Sequence, residues 1–168
     1  FENDLSKNYC CDKIIHLPDQ NSNDFEKILN FAICKKMTNC LIIGFHGGEL
    51  EHTLNNWSVL MKYSKKLNLC LLDRGRYGIP ISNSIIFPTK KDEMISLIPQ
   101  TEVILTSKNL VWELHREPLK LGWREGARNR SKNSIVHLFI HQGELLLFLD
   151  ERLPYAPDFS LIEGLINF

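Results

Sequence analysis

The chain has 168 residues, 43% of them hydrophobic, which is enough apolar material for one ordinary core or two small ones. Its 20 basic residues equal its 20 acidic residues, so it lacks the net positive field on which non-specific nucleic-acid binding depends. Nucleic acid is therefore disfavoured as a partner. No apolar run approaches the roughly 20 residues that span a bilayer, so we expect no membrane contact.

The first half of the sequence alternates short apolar runs with helical patterns. The runs at 13–17, 40–45 and 67–72 predict strands, of which the middle one is expected to be buried on both faces. Between them, apolar residues follow the spacing of one helix face, first at Phe25, Ile28, Leu29 and Ala32 and then at Leu50, Leu54, Trp57 and Met61. Asn23 is a suitable cap for the first helix. The alternation predicts a parallel, Rossmann-like α/β sheet.

The pattern changes after Asp73 to short apolar runs separated by Gly, Pro, Asn and Ser. These runs predict the strands of an antiparallel β-sandwich or roll, at 79–87, 94–98, 103–106, 110–114, 134–141 and 144–150. Trp112 lies in one of them and is interpreted as a core residue. We therefore divide the chain into an α/β domain at 1–75 and a β domain at 76–168, whose last residues from 151 form a loose arm.

The cysteines indicate the redox environment. They lie at positions 10, 11, 34, 40 and 70, with no CxxC pair and no spacing to histidine that suits zinc. Three are in or beside apolar runs, where a free cysteine behaves as a small hydrophobe. The pattern predicts reduced thiols and a cytoplasmic location.

Two polar clusters follow predicted strands, where ligands bind in an open parallel sheet. The first, at 19–24, leads into a helix N-terminus, and the second, at 44–52, contains the pair Gly47 and Gly48. Asp24 and Glu51 lie at the heads of the two helices, and carboxylates there suit a magnesium ion that carries phosphates. The alternative is that both are helix-terminal charges facing water.

The order of these segments resembles the thiamine pyrophosphokinase (thiamin diphosphokinase) family. DQNSNDFEKIL at 19–29 is similar to the family segment DQDxTDxxKAL, and GGELEHTLNN at 47–56 is similar to GGRxDHxxxN. SLIP at 96–99 and NLVWEL at 109–114 resemble a later strand pair, and GARN at 126–129 takes the place of a Gly-x-Ser-Asn turn. The family has earlier acidic segments, so we expect that its first strands lie outside this chain and that Glu2 is a remnant of one segment.

The resemblance implies an enzyme that transfers pyrophosphate from Mg-ATP to the hydroxyl of thiamine, giving thiamine pyrophosphate and AMP. It implies that Asp24 and Glu51 are catalytic and that they bind Mg²⁺ together with Glu2. It implies a homodimer with the active site at the subunit interface. The expected ATP contacts are Gln20, Lys27, Gly47, Gly48, His52 and Asn56, and the expected thiamine contacts are Arg128, Asn129 and Phe148.

This sequence departs from the family pattern at several site positions, which leaves other functions open. Glu49 replaces an arginine, Glu51 an aspartate, Asn21 an acid and Arg128 a serine. These changes alter charge and carboxylate position near the expected phosphates. A second hypothesis is therefore a weakened relative that binds thiamine or its phosphates without efficient transfer. A third is a protein-interaction domain whose polar loops are solvated surface.

Overall fold

The computed structural model describes residues 15, 17–46, 48–153 and 155. Within them, the chain forms two helices and ten strands. The helices are α1 (Asp24–Cys34) and α2 (Leu50–Tyr63). The strands are β1 (Asn39–Ile43), β2 (Asn68–Asp73), β3 (Arg76–Ile81), β4 (Ile85–Pro88), β5 (Met94–Pro99), β6 (Val103–Lys108), β7 (Glu117–Leu119), β8 (Gly126–Arg130), β9 (Ile135–Gln142) and β10 (Leu145–Asp150). Neither helix is long and apolar enough to cross a membrane.

The strands form a six-stranded mixed sheet and a four-stranded antiparallel sheet. The larger sheet has the order β1-β2-β3-β10-β5-β8, and the smaller has the order β4-β9-β6-β7. Among the described residues, only β1 and β2 pair in parallel. The expected β-rich half is confirmed, whereas a separate Rossmann-like sheet is not. The predicted strand at 13–17 and most of the arm lie outside the described residues.

The larger sheet separates two apolar cores. Alternate residues of a strand point to opposite faces, and β2 shows this directly. Leu69 and Leu71 pack with the two helices, whereas Cys70 packs with the smaller sheet. Burial raises the pKa of the Cys70 thiol to about 12, so this cysteine stays protonated at neutral pH. A strand covered on both faces needs an almost continuous apolar run, which explains the sequence of β2.

The expected helix faces are buried only in part. On α1, Leu29 and Ala32 are buried as expected, whereas Ile28 is 63% exposed. Leu50 and Leu54 are exposed, and the buried residues of α2 are Val59, Leu60 and Tyr63. On β1, Leu41 and Ile43 are also exposed, because the helices cover only one face of the sheet and no described residue covers the other face at this edge. The expectation that β1 is buried on both faces was therefore wrong for the described part of the chain.

The β-rich half differs from the prediction mainly at Trp112. The run at 110–114 forms bends rather than a strand, and Trp112 is 63% exposed, so its assignment to the core was wrong. The predicted strand at 79–87 is two strands, β3 and β4, which lie in different sheets. Strands β7 and β8 were not predicted, because both contain polar residues or proline rather than an apolar run.

A buried acid joins the end of β10 to the turn before β5. The Glu93 side chain is fully buried, and its carboxylate accepts hydrogen bonds from the backbone amides of Lys90 and Asp150 at 2.8 and 3.1 Å. Arg152 Nη2 lies 2.9 and 2.8 Å from its two oxygens. A buried carboxylate with this many donors is well satisfied, but it depends on each of them.

We expect Arg152→Ala to lower the free energy of unfolding by about 3 kcal/mol, because it leaves the buried Glu93 charge without its cation. Denaturant unfolding at neutral pH measures this. Lys132→Ala is the matched control, because it removes a pair that is 3.7 Å apart and partly exposed. Its cost should stay below about 1 kcal/mol. Equal losses in the two variants would contradict the role given to Arg152.

Candidate functional site

Hydrogen bonds tie the N-cap of α1 to the second turn of α2 and to the loop after β1. Asn23 caps α1, with its Oδ1 accepting a hydrogen bond from the Glu26 amide at 2.8 Å. Its Nδ2 donates to Asn56 Oδ1 at 3.1 Å, and Asn56 Nδ2 donates to the Phe45 carbonyl at 3.3 Å. Asn56 therefore orders the loop after β1, and its role as an ATP contact stays a prediction.

A second polar cluster joins the bodies of the two helices. Lys62 Nζ donates to Glu26 Oε1 at 2.5 Å, and the Tyr63 hydroxyl lies 3.0 Å from the same oxygen. That hydroxyl is also 2.8 Å from Asn30 Oδ1. The hydrogen bond from Lys62, followed by that from Tyr63, lowers the pKa of Glu26. The cluster fixes one helix against the other, and hence the relative positions of their first turns.

The two proposed metal ligands are at the surface. The Asp24 side chain is 95% exposed, and its Oδ1 is 3.6 Å from Lys27 Nζ. Glu51 is exposed as well, and a hydrogen bond from its own backbone amide lowers its pKa. No three His, Cys, Asp or Glu side chains of the described chain are grouped to hold a metal, and Glu2 lies outside that part. Two carboxylates still suit Mg²⁺, which commonly takes its remaining ligands from water and substrate phosphates.

The other expected ATP contacts lie near these two acids along the chain. Gln20 is exposed, with Nε2 3.4 Å from the Pro18 carbonyl, and His52 is exposed. Gly48 has a φ of +68°, which favours glycine, and a Cβ atom there would meet nothing within 4 Å. Gly47 lies outside the described residues. The turn is therefore open to a ligand on the side where Gly48 lies.

Beside this turn is a pocket that the sequence analysis did not identify. It has a volume of about 420 Å³ and lies at the carboxyl ends of β1 and β2. Its lining residues are His46, Gly48, Leu50, Thr53, Asp73 and Arg74. His46 Nε2 is 3.5 Å from Asp73 Oδ2, and Arg74 makes no ion pair with any described residue. Asp73 and Arg74 directly follow the predicted strand at 67–72, and that position was the available signal.

Two of the three expected thiamine contacts, Asn129 and Phe148, are packed against other residues of the protein. Asn129 is 6% exposed. Its Oδ1 accepts a hydrogen bond from the Trp112 backbone amide at 3.1 Å, and its Nδ2 donates to the Trp112 carbonyl at 2.8 Å. Phe148 packs on Trp57 with ring centroids 6.4 Å apart, on the helix side of the sheet. Arg128 is exposed and has a φ of +59°. Asn129 thus supports the bend that exposes Trp112, and the thiamine-binding roles stay predictions.

Comparison with known proteins shows which family and which fold the chain is similar to. Residues 3–71 match the model of the thiamin pyrophosphokinase catalytic domain. Thiamin pyrophosphokinase 1 of Caenorhabditis elegans is 25% identical over 149 residues, which cover 81% of this chain and 60% of that protein. The thiamine pyrophosphokinase structure from Bacillus subtilis superposes with a TM-score of 0.69 at 21% identity, covering 80% of this chain and 65% of the other. The thiamin pyrophosphokinase structure from Geobacillus thermodenitrificans gives 0.69 at 18% identity, covering 82% and 66%.

The mixed sheet, antiparallel sheet and two helices therefore form a fold of the thiamin pyrophosphokinase type. The chain itself is a divergent, partial homologue of the thiamin pyrophosphokinase family. It spans 60 to 66% of the length of these three relatives. The resemblance drawn from the segments at 19–29 and 47–56 is confirmed as a family relationship.

The Glu26 cluster predicts a dependence of stability on pH. Because the folded pKa of Glu26 is lowered from 4.5, its contribution to stability is present above that value and is lost as pH falls through the folded pKa. Glu26→Gln should therefore lower the unfolding temperature at pH 7, and the difference from the parent should shrink below pH 4.5. Thermal unfolding at several pH values measures it. A difference that stays constant down to pH 3 would rule out the linkage.

Proposed function

We propose that the protein is a thiamin pyrophosphokinase, which transfers pyrophosphate from ATP to the hydroxyl of thiamine and releases AMP. The observation that carries the proposal is the coincidence of two findings. The family match spans residues 3–71, and within that span Asn23 and Asn56, 33 residues apart, bring the two expected phosphate-binding turns together. A reaction that depends on positioning and charge neutralisation needs such convergence.

In the proposed reaction, the thiamine hydroxyl oxygen forms a bond to the β-phosphorus of ATP. The bond from that phosphorus to the oxygen shared with the α-phosphate breaks, AMP leaves with the bridging oxygen, and the hydroxyl proton is released to the solvent. Asp24 and Glu51 are the proposed ligands of Mg²⁺, which when bound neutralises phosphate charge. The Glu49 side chain makes no capping hydrogen bond to α2, whereas the His52 and Thr53 amides bond the Glu49 carbonyl and the Glu51 amide bonds its own carboxylate. The Leu50 amide is therefore the group of this turn that we propose for contact with an anion.

The remaining parts of the proposal rest on the family. Gln20, Lys27, Gly47, Gly48 and His52 surround the nucleotide, with Lys27 near Asp24. Arg128, Asn129 and Phe148 belong to the thiamine side, which the proposal places between the two subunits of a homodimer. The reduced cysteines favour the cytoplasm as the compartment.

A second candidate function is a weakened relative that binds thiamine or its phosphates with little transfer. Glu49 favours it, because this residue is the N-cap of α2 and sits beside Gly48 where the motif has an arginine. A carboxylate at that place repels the triphosphate unless a cation offsets it. The two candidates differ in the rate of transfer, not in the ligands.

Asp24→Asn should reduce turnover by at least about 100-fold, because it removes a charge from the proposed metal site while keeping the side-chain shape. The assay supplies thiamine, ATP and magnesium and follows AMP and thiamine pyrophosphate. Asp92→Asn is the matched control, an exposed acid on a turn of the β-rich half whose φ of +65° asparagine tolerates. It should leave turnover unchanged.

The outcomes separate the hypotheses. Unchanged turnover in Asp24→Asn would refute the role of Asp24. Thiamine binding by the parent protein without release of AMP would favour the weakened relative. If the parent protein neither binds thiamine nor turns over, the interaction-domain hypothesis gains support. Circular dichroism of each variant confirms that a loss of turnover is not a loss of fold.

A further inference from the structure

The pocket at the ends of β1 and β2 has the layout of a nucleoside site. β1, the glycine turn, α2 and β2 form a parallel strand-helix-strand unit, in which Ile43 pairs with Leu72. Asp73, the last residue of β2, therefore lies one residue beyond that pair, beside the turn that follows β1. In parallel units of this kind, phosphates lie at the glycine turn, and an acid at the end of the second strand binds ribose hydroxyls.

One oxygen of the Asp73 carboxylate is in contact with His46, and the other is available to a ligand. The 3.5 Å approach of His46 Nε2 is to Oδ2, while the other oxygen makes no hydrogen bond to a described residue. The side chain is 40% exposed and lines the pocket, so it can accept hydrogen bonds from a ligand. An ionised carboxylate only accepts, which makes a pair of sugar hydroxyls a matching partner. His46, coming from the turn after β1, positions the carboxylate on the pocket side.

The other walls suit the rest of a nucleotide. Arg74 and Gly75 both have positive φ and form a tight turn closed by the pair Asp73 and Arg76, which sets Arg74 at the pocket. Its guanidinium has no acidic partner among the described residues, so its charge is available to a phosphate. Thr53 adds a hydroxyl and Leu50 an apolar surface. The volume of about 420 Å³ is within the range of small-molecule sites.

We propose that Asp73, positioned by His46, binds the ribose hydroxyls of the donor nucleotide and makes the site selective for ribonucleotides. The identity of that nucleotide as ATP rests on the proposed function. The competing interpretation is an exposed His–Asp pair without a ligand, such as occurs on many protein surfaces. Ribose discrimination separates the two, because a surface pair has no reason to distinguish sugars.

The experiment compares the binding of ATP, 2′-deoxyATP and 3′-deoxyATP to the whole protein by calorimetry, with magnesium and without thiamine. The parent protein should bind ATP at least about tenfold more tightly than one or both deoxynucleotides, since a lost hydrogen bond to a charged group costs that much or more. Asp73→Asn should lose most of this ratio, and His46→Asn part of it. Asp92→Asn should keep the parent's ratio.

Equal binding of all three nucleotides by the parent, or an unchanged ratio in Asp73→Asn, would overturn the assignment. Because thiamine is absent, the result does not depend on turnover. Ribose discrimination without formation of thiamine pyrophosphate would uphold this site and refute the proposed enzyme. Normal formation of thiamine pyrophosphate without ribose discrimination would uphold the proposed enzyme and refute this site. If no nucleotide binds at all, both proposals fall.

Discussion

The structure depends on one sheet that is covered on both faces. Its strands β2 and β10 present apolar residues to the helices on one side and to the smaller sheet on the other. β10, near the end of the described chain, lies between β3 and β5, so the sheet is completed only when distant segments pair. Such non-local pairing fixes the ends of β1 and β2, where the candidate site lies, through the packing of the whole molecule.

The packing of the helices on the sheet also determines which polar side chains bond within the protein and which remain available to a ligand. Both helices pack on one face of the sheet, and two side-chain amides join the N-cap of α1 to the second turn of α2 and to the loop after β1. Asn23 and Asn56 use their side chains within the protein, whereas Asp24 and Glu51 face water. These amides are half-buried, and an amide network rigidifies its surroundings when its members are satisfied. The carboxylates are therefore placed by residues that need not touch a substrate themselves.

Sequence patterns predicted the local elements well. They predicted poorly which faces of those elements are buried by the rest of the protein. The start of α1 behind the Asn23 cap, the strand β2 and the family relationship followed from local segments. The exposure of Leu50 and Trp112 did not, because periodicity tells which residues share a face and not what covers that face. Asp73 and Arg74 were missed as site residues for a related reason. Their place beside Gly48 depends on the parallel pairing of β1 with β2, which no local pattern specifies.

The start of α2 shows how stability and anion binding oppose each other in this chain. Glu49 and Glu51 place negative charge where the helix dipole is positive, which favours the helix. The same charges reduce the attraction of that turn for phosphate, and the motif arginine that would offset them is replaced by Glu49. Arg74 is the cation that the fold brings to this place, from the turn after the neighbouring strand. Any phosphate held at the Gly48 turn therefore draws on a charge that lies 18 residues beyond Asn56, the last residue of the motif. The motif alone gives an incomplete account of the charges around this turn.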